Sequence, residues 1–208
     1  YEAKEIRQLG AKGMACVIKT PKGEFSVTVP ALGGHMIYPV LMSCAIAERY
    51  GMDQEEIKKG IESFVPTKMR MNVIRQGEVT ILDDAYNANP DSMRASLATF
   101  CALDVPGKHV AVLGDMGELG SYAPACHAGI GEFAATLPLD RLVCVGELSL
   151  HIADAAERAG MDPQRIVRAG SLSEVFGDLD ACVEPGDAVL VKASHFMGLT
   201  RVVEGLVN

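Results

Sequence analysis

Thr80-Ile81-Leu82-Asp83-Asp84-Ala85-Tyr86-Asn87-Ala88-Asn89-Pro90-Asp91-Ser92-Met93 is the stretch whose reading decides the fold. A hydrophobic run ends in two carboxylates, and a helix pattern follows. Asn89 is placed to cap that helix. Pro90 fits its first position, where a missing N–H costs nothing, and Asp91 suits the positive end of the helix dipole. Helix initiation therefore accounts for Asn89, Pro90 and Asp91. It does not account for Asp83 and Asp84. Adjacent carboxylates at a strand end repel unless a cation, a donor or solvent offsets them. Such an aspartate can accept from ribose hydroxyls, at about 1.5–3 kcal/mol for each bond to a charged group, or hold Mg²⁺. Strand side chains alternate, so one carboxylate of the two is expected to face a ligand.

Working outward, short apolar strand cores recur at Val79–Leu82, Val110–Leu113, Leu142–Val145 and Ala188–Val191, with a weaker one at Arg165–Arg168. Helical stretches separate them, at about 90–103, 124–136, 148–159, 171–182 and 196–207. Strands this rich in Val and Leu are buried on both faces. Their alternation with helices predicts an α/β fold with a parallel, doubly wound sheet. Ligands of such sheets sit beyond the carboxyl ends of the strands. That rule selects Asp83–Asn89, Gly114–Gly120, Gly146–Ser149 and Lys192–Met197.

Gly114-Asp115-Met116-Gly117-Glu118-Leu119-Gly120 has glycines at spacing three, which permits close backbone approach. It is not a dinucleotide fingerprint, and a flexible strand-end loop explains it equally well. His127 reads as a structural histidine. Lys192 closes a buried strand, where an unpaired charge is costly. It must reach a carboxylate, either Asp83 or Asp84 or one on a ligand.

Residues 1–66 differ in character. They carry eight basic and eight acidic residues, whereas the remainder holds the whole net charge of −8. Met14–Ile18 and Phe25–Val29 read as a hairpin across Pro21-Lys22-Gly23, and a helix pattern follows Leu32-Gly33-Gly34-His35. Asp53 and Glu56 form a capping box ahead of the stripe Ile57, Ile61, Phe64. Val65-Pro66-Thr67 reads as a linker. The 208 residues are 49% hydrophobic, which argues against disorder, and no run is long enough for a membrane span. An acidic second part disfavours nucleic acid and anionic membrane as partners. The six cysteines show no C-x-x-C spacing and read as buried thiols in a reducing compartment. The chain starts at Tyr1 inside a strand pattern, so it is expected to be part of something longer.

The run Asp83–Met93, the loop Gly114–Gly120 and Lys192-Ala193-Ser194 together resemble the Mur ligases. Within that family they are most similar to the members that join D-Ala-D-Ala to UDP-MurNAc-tripeptide. The resemblance implies that residues 1–66 are the end of a central ATPase domain. Residues 67–208 would be a C-terminal domain with a Rossmann-like, mostly parallel sheet. It implies a cytoplasmic, monomeric ligase of cell-wall precursor synthesis, using ATP and Mg²⁺. ATP phosphorylates the tripeptide carboxylate, and the dipeptide amine attacks the acyl phosphate. By position, Asp84 matches an aspartate at the ATP ribose, Arg70 an arginine at the phosphates, and His35 a residue lining the adenine pocket. Asn87, Asn89, Lys192 and Ser194 fall on the dipeptide side. The pattern G-x-x-x-x-G-K-[ST] is absent, so metal ligands and catalytic residues are expected upstream and this chain alone is expected to be inactive. The family carries Asn where this chain has Met36 and Pro39, and Lys-Gly-Ser-Arg where it has Lys192-Ala193-Ser194-His195. A non-catalytic module of the same fold, or a ligase for another amino acid, are the alternatives.

Overall fold

The computed structural model describes residues 1–207. It divides into one compact unit over Tyr1–Thr67 and a second that begins at Lys68.

The first unit is a three-stranded antiparallel sheet of β1 (Glu2–Gln8), β2 (Met14–Thr20) and β3 (Gly23–Val29), with α1 (Ile37–Arg49) and α2 (Gln54–Glu62). The expected hairpin forms, with Thr20 opposite Gly23. The expected capping box forms too: Asp53 accepts from the Glu56 N–H at 2.9 Å and Glu56 returns the bond at 2.9 Å. Ile57 and Ile61 enter the core with Met14, Ile18 and Val40. Phe64 does not complete the stripe. It lies beyond the end of α2 and is 43% exposed.

The second unit is built on a six-stranded sheet: β4 (Asn72–Gln76), β5 (Val79–Asp84), β6 (His109–Gly114), β7 (Arg141–Val145), β8 (Ile166–Ala169) and β9 (Ala188–Lys192). Its order is β4-β5-β9-β6-β7-β8. Five strands are parallel. The sixth, β4, pairs antiparallel with β5, and no pattern announced it, because Asn72-Val73-Ile74-Arg75-Gln76 is short and polar at both ends. Between them run α3 (Pro90–Cys101), α4 (Ala123–Ala134), α5 (Leu150–Arg158), α6 (Leu172–Cys182) and α7 (Thr200–Val207). The last helix starts later than expected, because Phe196 and Met197 belong to a 3₁₀ turn that Gly198 ends at φ +64°. Among the described residues no helix is long and apolar enough to cross a membrane, and all six cysteines are free thiols.

Period-two alternation divides each strand between two helix layers. Ile81, Val110, Val112, Val143, Val189 and Val191 pack with Val175 and Leu179 of α6 and with Val202 and Val203 of α7. The residues between them, Leu82, Leu113, Leu142, Cys144 and Leu190, are fully buried as well. Burial on both faces explains why these strands read as continuous apolar runs. The chain steps outward from β5 past one position to β6, then to β7 and β8, and returns to place β9 between β5 and β6. The carboxyl ends of β5, β9 and β6 therefore lie side by side, where the strand order reverses.

Candidate functional site

Asp84 and Lys192 end β5 and β9 and are paired in register. Parallel pairing brings both side chains to the same edge of the sheet, on the face that carries α3. Lys192 Nζ donates to Asp84 Oδ2 at 2.6 Å and to the Asn87 carbonyl at 3.0 Å. Ser96 of α3 donates to the same carboxylate oxygen at 2.5 Å. The Met71 N–H donates to Asp84 Oδ1 at 3.1 Å. Lys192 is 1% exposed and Asp84 8%. Of the two partners the sequence allowed for Lys192, the structure supplies the internal one. Burial pushes the Lys192 ammonium below the usual lysine range, and the Asp84 carboxylate pulls it back.

Alternation separates the two carboxylates as expected. Asp83 is also buried, and its Oδ1 accepts from the Ala85 N–H at 3.3 Å. Loss of water raises its pKa above the ordinary value. The Ala85 N–H works against the rise, the neighbouring Asp84 charge adds to it, and the Met69 backbone opposes it.

Arg70 precedes β4. It is flanked by Met69 at φ 64° and Met71 at φ 51°, two non-glycine residues in the left-handed region. Each such residue costs on the order of 1 kcal/mol or more and persists only where its surroundings hold it. Here the Tyr86 N–H donates to the Met69 carbonyl at 3.2 Å, and the Met71 N–H is taken by Asp84. The guanidinium carbon of Arg70 sits 4.3 Å from the centroid of the Tyr86 ring. The His195 ring lies 5.6 Å from Tyr86, tilted by 38°. No carboxylate pairs with Arg70 among the described residues.

The rest of the edge is set by backbone bonds. Asn89 caps α3, accepting from the Ser92 N–H at 2.8 Å, while Ser92 Oγ accepts from the Asn89 N–H at 3.1 Å. Asn87 is exposed, and its side-chain oxygen accepts from the Ala88 N–H at 2.8 Å. Ser194 is 6% exposed. Its Oγ accepts from the Gly117 N–H at 2.8 Å, which ties the end of β9 to the glycine loop. A Cβ at Gly117 would lie 2.9 Å from the ring of Phe196, an exposed side chain that would have to turn aside. Asp115 bridges the next two loops, accepting from the Ser149 side of the edge through the Ser149 N–H at 2.7 Å. His127 is structural, as read. Its Nε2 accepts from the Met116 N–H at 2.9 Å and its Nδ1 is 2.7 Å from the Ala123 carbonyl. The first bond requires a bare Nε2, so the proton is on Nδ1. Burial lowers the pKa of this imidazole.

The structure thus brings together Arg70, Asp84, Asn87, Asn89, Lys192 and Ser194 on one edge of the second unit. His35 belongs to the first unit, exposed in the turn Gly34–Met36. Its neighbours Met36 and Pro39 line an apolar cavity of about 250 Å³ with Val29, Val40, Ile57 and Ile61. Three participants escaped the sequence: Tyr86, Ser96 and the Met69–Met71 bend. Tyr86 stood inside the deciding motif, where an aromatic beside two carboxylates was the available signal. Ser96 carried none.

Chemically, the edge holds one buried ion pair that satisfies itself and one exposed guanidinium that does not. An arginine without a carboxylate, fixed on a ring, is suited to a planar or phosphate anion. Among the described residues no three His, Cys, Asp or Glu side chains cluster as a metal site. The Asp84 oxygens already accept three protein donors, so this carboxylate has little capacity left for a metal ion.

Residues 69–195 match the model of the Mur ligase glutamate ligase domain. The UDP-N-acetylmuramoyl-tripeptide–D-alanyl-D-alanine ligase of Mycobacterium tuberculosis is 36% identical over 200 residues, covering 87% of this chain and 39% of the relative. A crystal structure of MurF from Acinetobacter baumannii superposes with a TM-score of 0.88 at 28% identity, over 99% of this chain and 44% of that one. A MurF ligase from Thermotoga maritima, solved in complex with ADP, shares the fold at a TM-score of 0.81 and 23% identity. The chain spans less than half the length of these relatives. A family match across most of the second unit, and a relative above 30% identity across most of the chain, place it: the chain belongs to the Mur ligase family.

Proposed function

We propose that this chain works as part of an ATP-dependent ligase that joins D-Ala-D-Ala to UDP-MurNAc-tripeptide in peptidoglycan precursor synthesis. The reading draws on relatives named for that reaction and on one feature of this chain, the unpaired guanidinium of Arg70 at the carboxyl edge. Residues 1–66 are assigned to the central ATPase domain and 67–208 to the C-terminal domain. The enzyme is placed in the cytoplasm, where the nucleotide-linked precursor and ATP are available, and is taken as a monomer serving cell-wall growth and division.

In this reading ATP supplies the leaving group that makes a carboxylate reactive toward an amine. The chain's own residues bind and orient. Arg70 contacts the nucleotide phosphates. Asp84 offers a ribose hydroxyl at most the acceptor capacity left beside Met71 on Oδ1, because Oδ2 is committed to Lys192 and Ser96. His35 is assigned to the adenine side. Asn87, exposed and with only its oxygen engaged by the Ala88 N–H, is the residue of this edge best able to meet the dipeptide. Asn89, Lys192 and Ser194 support the wall behind it. Mg²⁺ ligands and the phosphate-binding loop are assigned outside these residues, so the chain alone is inactive.

The test is steady-state ADP release by the full-length ligase that carries this chain, comparing wild type with Arg70→Ala. The reading predicts a KM for ATP raised tenfold or more, since a charge-assisted bond contributes about 1.5–3 kcal/mol. An unchanged KM removes Arg70 from the nucleotide.

A further inference from the structure

We propose that Tyr86 and the bend Met69–Met71 form a positioning device that holds Arg70 ready on the carboxyl edge. The proposal deepens the reading of Arg70 as an anion contact and rests on it.

Among the described residues, four non-glycine residues have positive φ, and two of them bracket Arg70. The bend serves neither neighbour's regular structure: β4 begins only at Asn72, and α2 has already ended at Glu62. What holds the bend is the end of β5. The Asp84 carboxylate accepts from the Met71 N–H at 3.1 Å, and the Tyr86 N–H donates to the Met69 carbonyl at 3.2 Å. Asn72 is registered opposite Asp83. The backbone on both sides of Arg70 is therefore fixed to Asp84 and Tyr86, at and just past the end of β5.

The side chain is fixed separately. Arginine is long and loses rotamer freedom on binding an anion. Stacking on Tyr86 at 4.3 Å removes part of that freedom beforehand and leaves the N–H donors at the guanidinium rim available. Tyr86 is itself flanked by His195 at 5.6 Å. Tyr86 is thus a positioning residue, acting through Arg70 by its ring face and not by its hydroxyl. Phenylalanine should replace it, and leucine should not.

The experiment uses the full-length ligase with Tyr86→Phe, Tyr86→Leu, Arg70→Ala and the Tyr86→Leu/Arg70→Ala double variant. Each is assayed for KM for ATP and kcat, and the Arg70 Nε–H resonance is followed by NMR in the variants that keep Arg70. The expected result is a KM raised about two- to fivefold in Tyr86→Leu with kcat little changed, the range an exposed cation–ring contact supplies. Tyr86→Phe should match wild type, and Tyr86→Leu should add nothing in the Arg70→Ala background. The Arg70 Nε–H should carry an upfield ring shift that Tyr86→Leu abolishes and Tyr86→Phe keeps. A KM unmoved by Tyr86→Leu, an equal rise in Tyr86→Phe, or a rise that persists without Arg70 overturns the proposal. If Arg70→Ala itself leaves KM unchanged, the functional reading of Arg70 fails instead. The ring shift still decides the contact, and its absence in wild type also overturns the proposal.

Discussion

The ammonium of Lys192 and the carboxylate of Asp84 meet at 2.6 Å, although 108 residues separate them in the chain. The pair joins the end of the last strand to the end of the strand that opens the parallel sheet. Its environment is almost dry, and each partner has further bonds: Asp84 from Ser96 and the Met71 N–H, Lys192 to the Asn87 carbonyl. Removing one member of such a pair leaves an uncompensated buried charge.

Lys192→Met keeps most of the volume and removes the charge. It should cost about 3–5 kcal/mol of unfolding free energy, read from urea midpoints at constant m-value. Lys192→Met combined with Asp84→Asn should recover part of that loss, because no lone charge remains. If Lys192→Met leaves the midpoint in place, the ion pair is not what holds the strand ends.

His127 predicts a pH dependence. Its folded pKa is depressed by burial, while the unfolded imidazole titrates near the ordinary value of about 6.5. Below that value the unfolded state binds the proton and the folded state does not. The stability His127 contributes is therefore complete above about pH 6.5 and is lost as pH falls toward the folded pKa. Urea midpoints between pH 7.5 and pH 5 should fall for wild type. His127→Leu should flatten the part of that slope due to this residue, with a lower midpoint at neutral pH because the Met116 N–H loses its acceptor. An unchanged slope in the variant excludes His127 as its source.

Gly131 allows α4 and α5 to approach. A Cβ there would meet the Ile152 carbonyl at 2.1 Å and the Ala155 side chain at 2.9 Å. Alanine is the better helix former by about 1 kcal/mol. Overpacking against a backbone carbonyl outweighs that gain, so Gly131→Ala should destabilise by about 1–3 kcal/mol net. A raised thermal midpoint would mean the helices can separate freely.

The parallel core was legible because each of its strands is buried on both faces, which produces unbroken apolar runs such as Val110–Leu113 and Ala188–Val191. Caps were legible for a different reason: Asn89 with Pro90, and Asp53 with Glu56, encode local geometry in local sequence. What stayed hidden depends on contacts across the chain. Strand β4 is an edge strand with polar ends, so its pairing with β5 has no periodic signature. Lys192 announced that it needed a carboxylate, but only the sheet order, with β9 inserted beside β5, selects Asp84. The backbone bends at Met69 and Met71 are invisible in sequence, since methionine carries no signal for positive φ. The role of Tyr86 has no local signature either, since it depends on Arg70, which lies across its ring face.

The central claim is that this chain serves a ligase for which D-Ala-D-Ala is the amine. Its most direct measurement is ADP release by the full-length ligase, given UDP-MurNAc-tripeptide and ATP, with D-Ala-D-Ala or single amino acids as the amine. The account predicts rapid release with the dipeptide and background rates with single amino acids. Release that is faster with a single amino acid, or none with any amine, would contradict it.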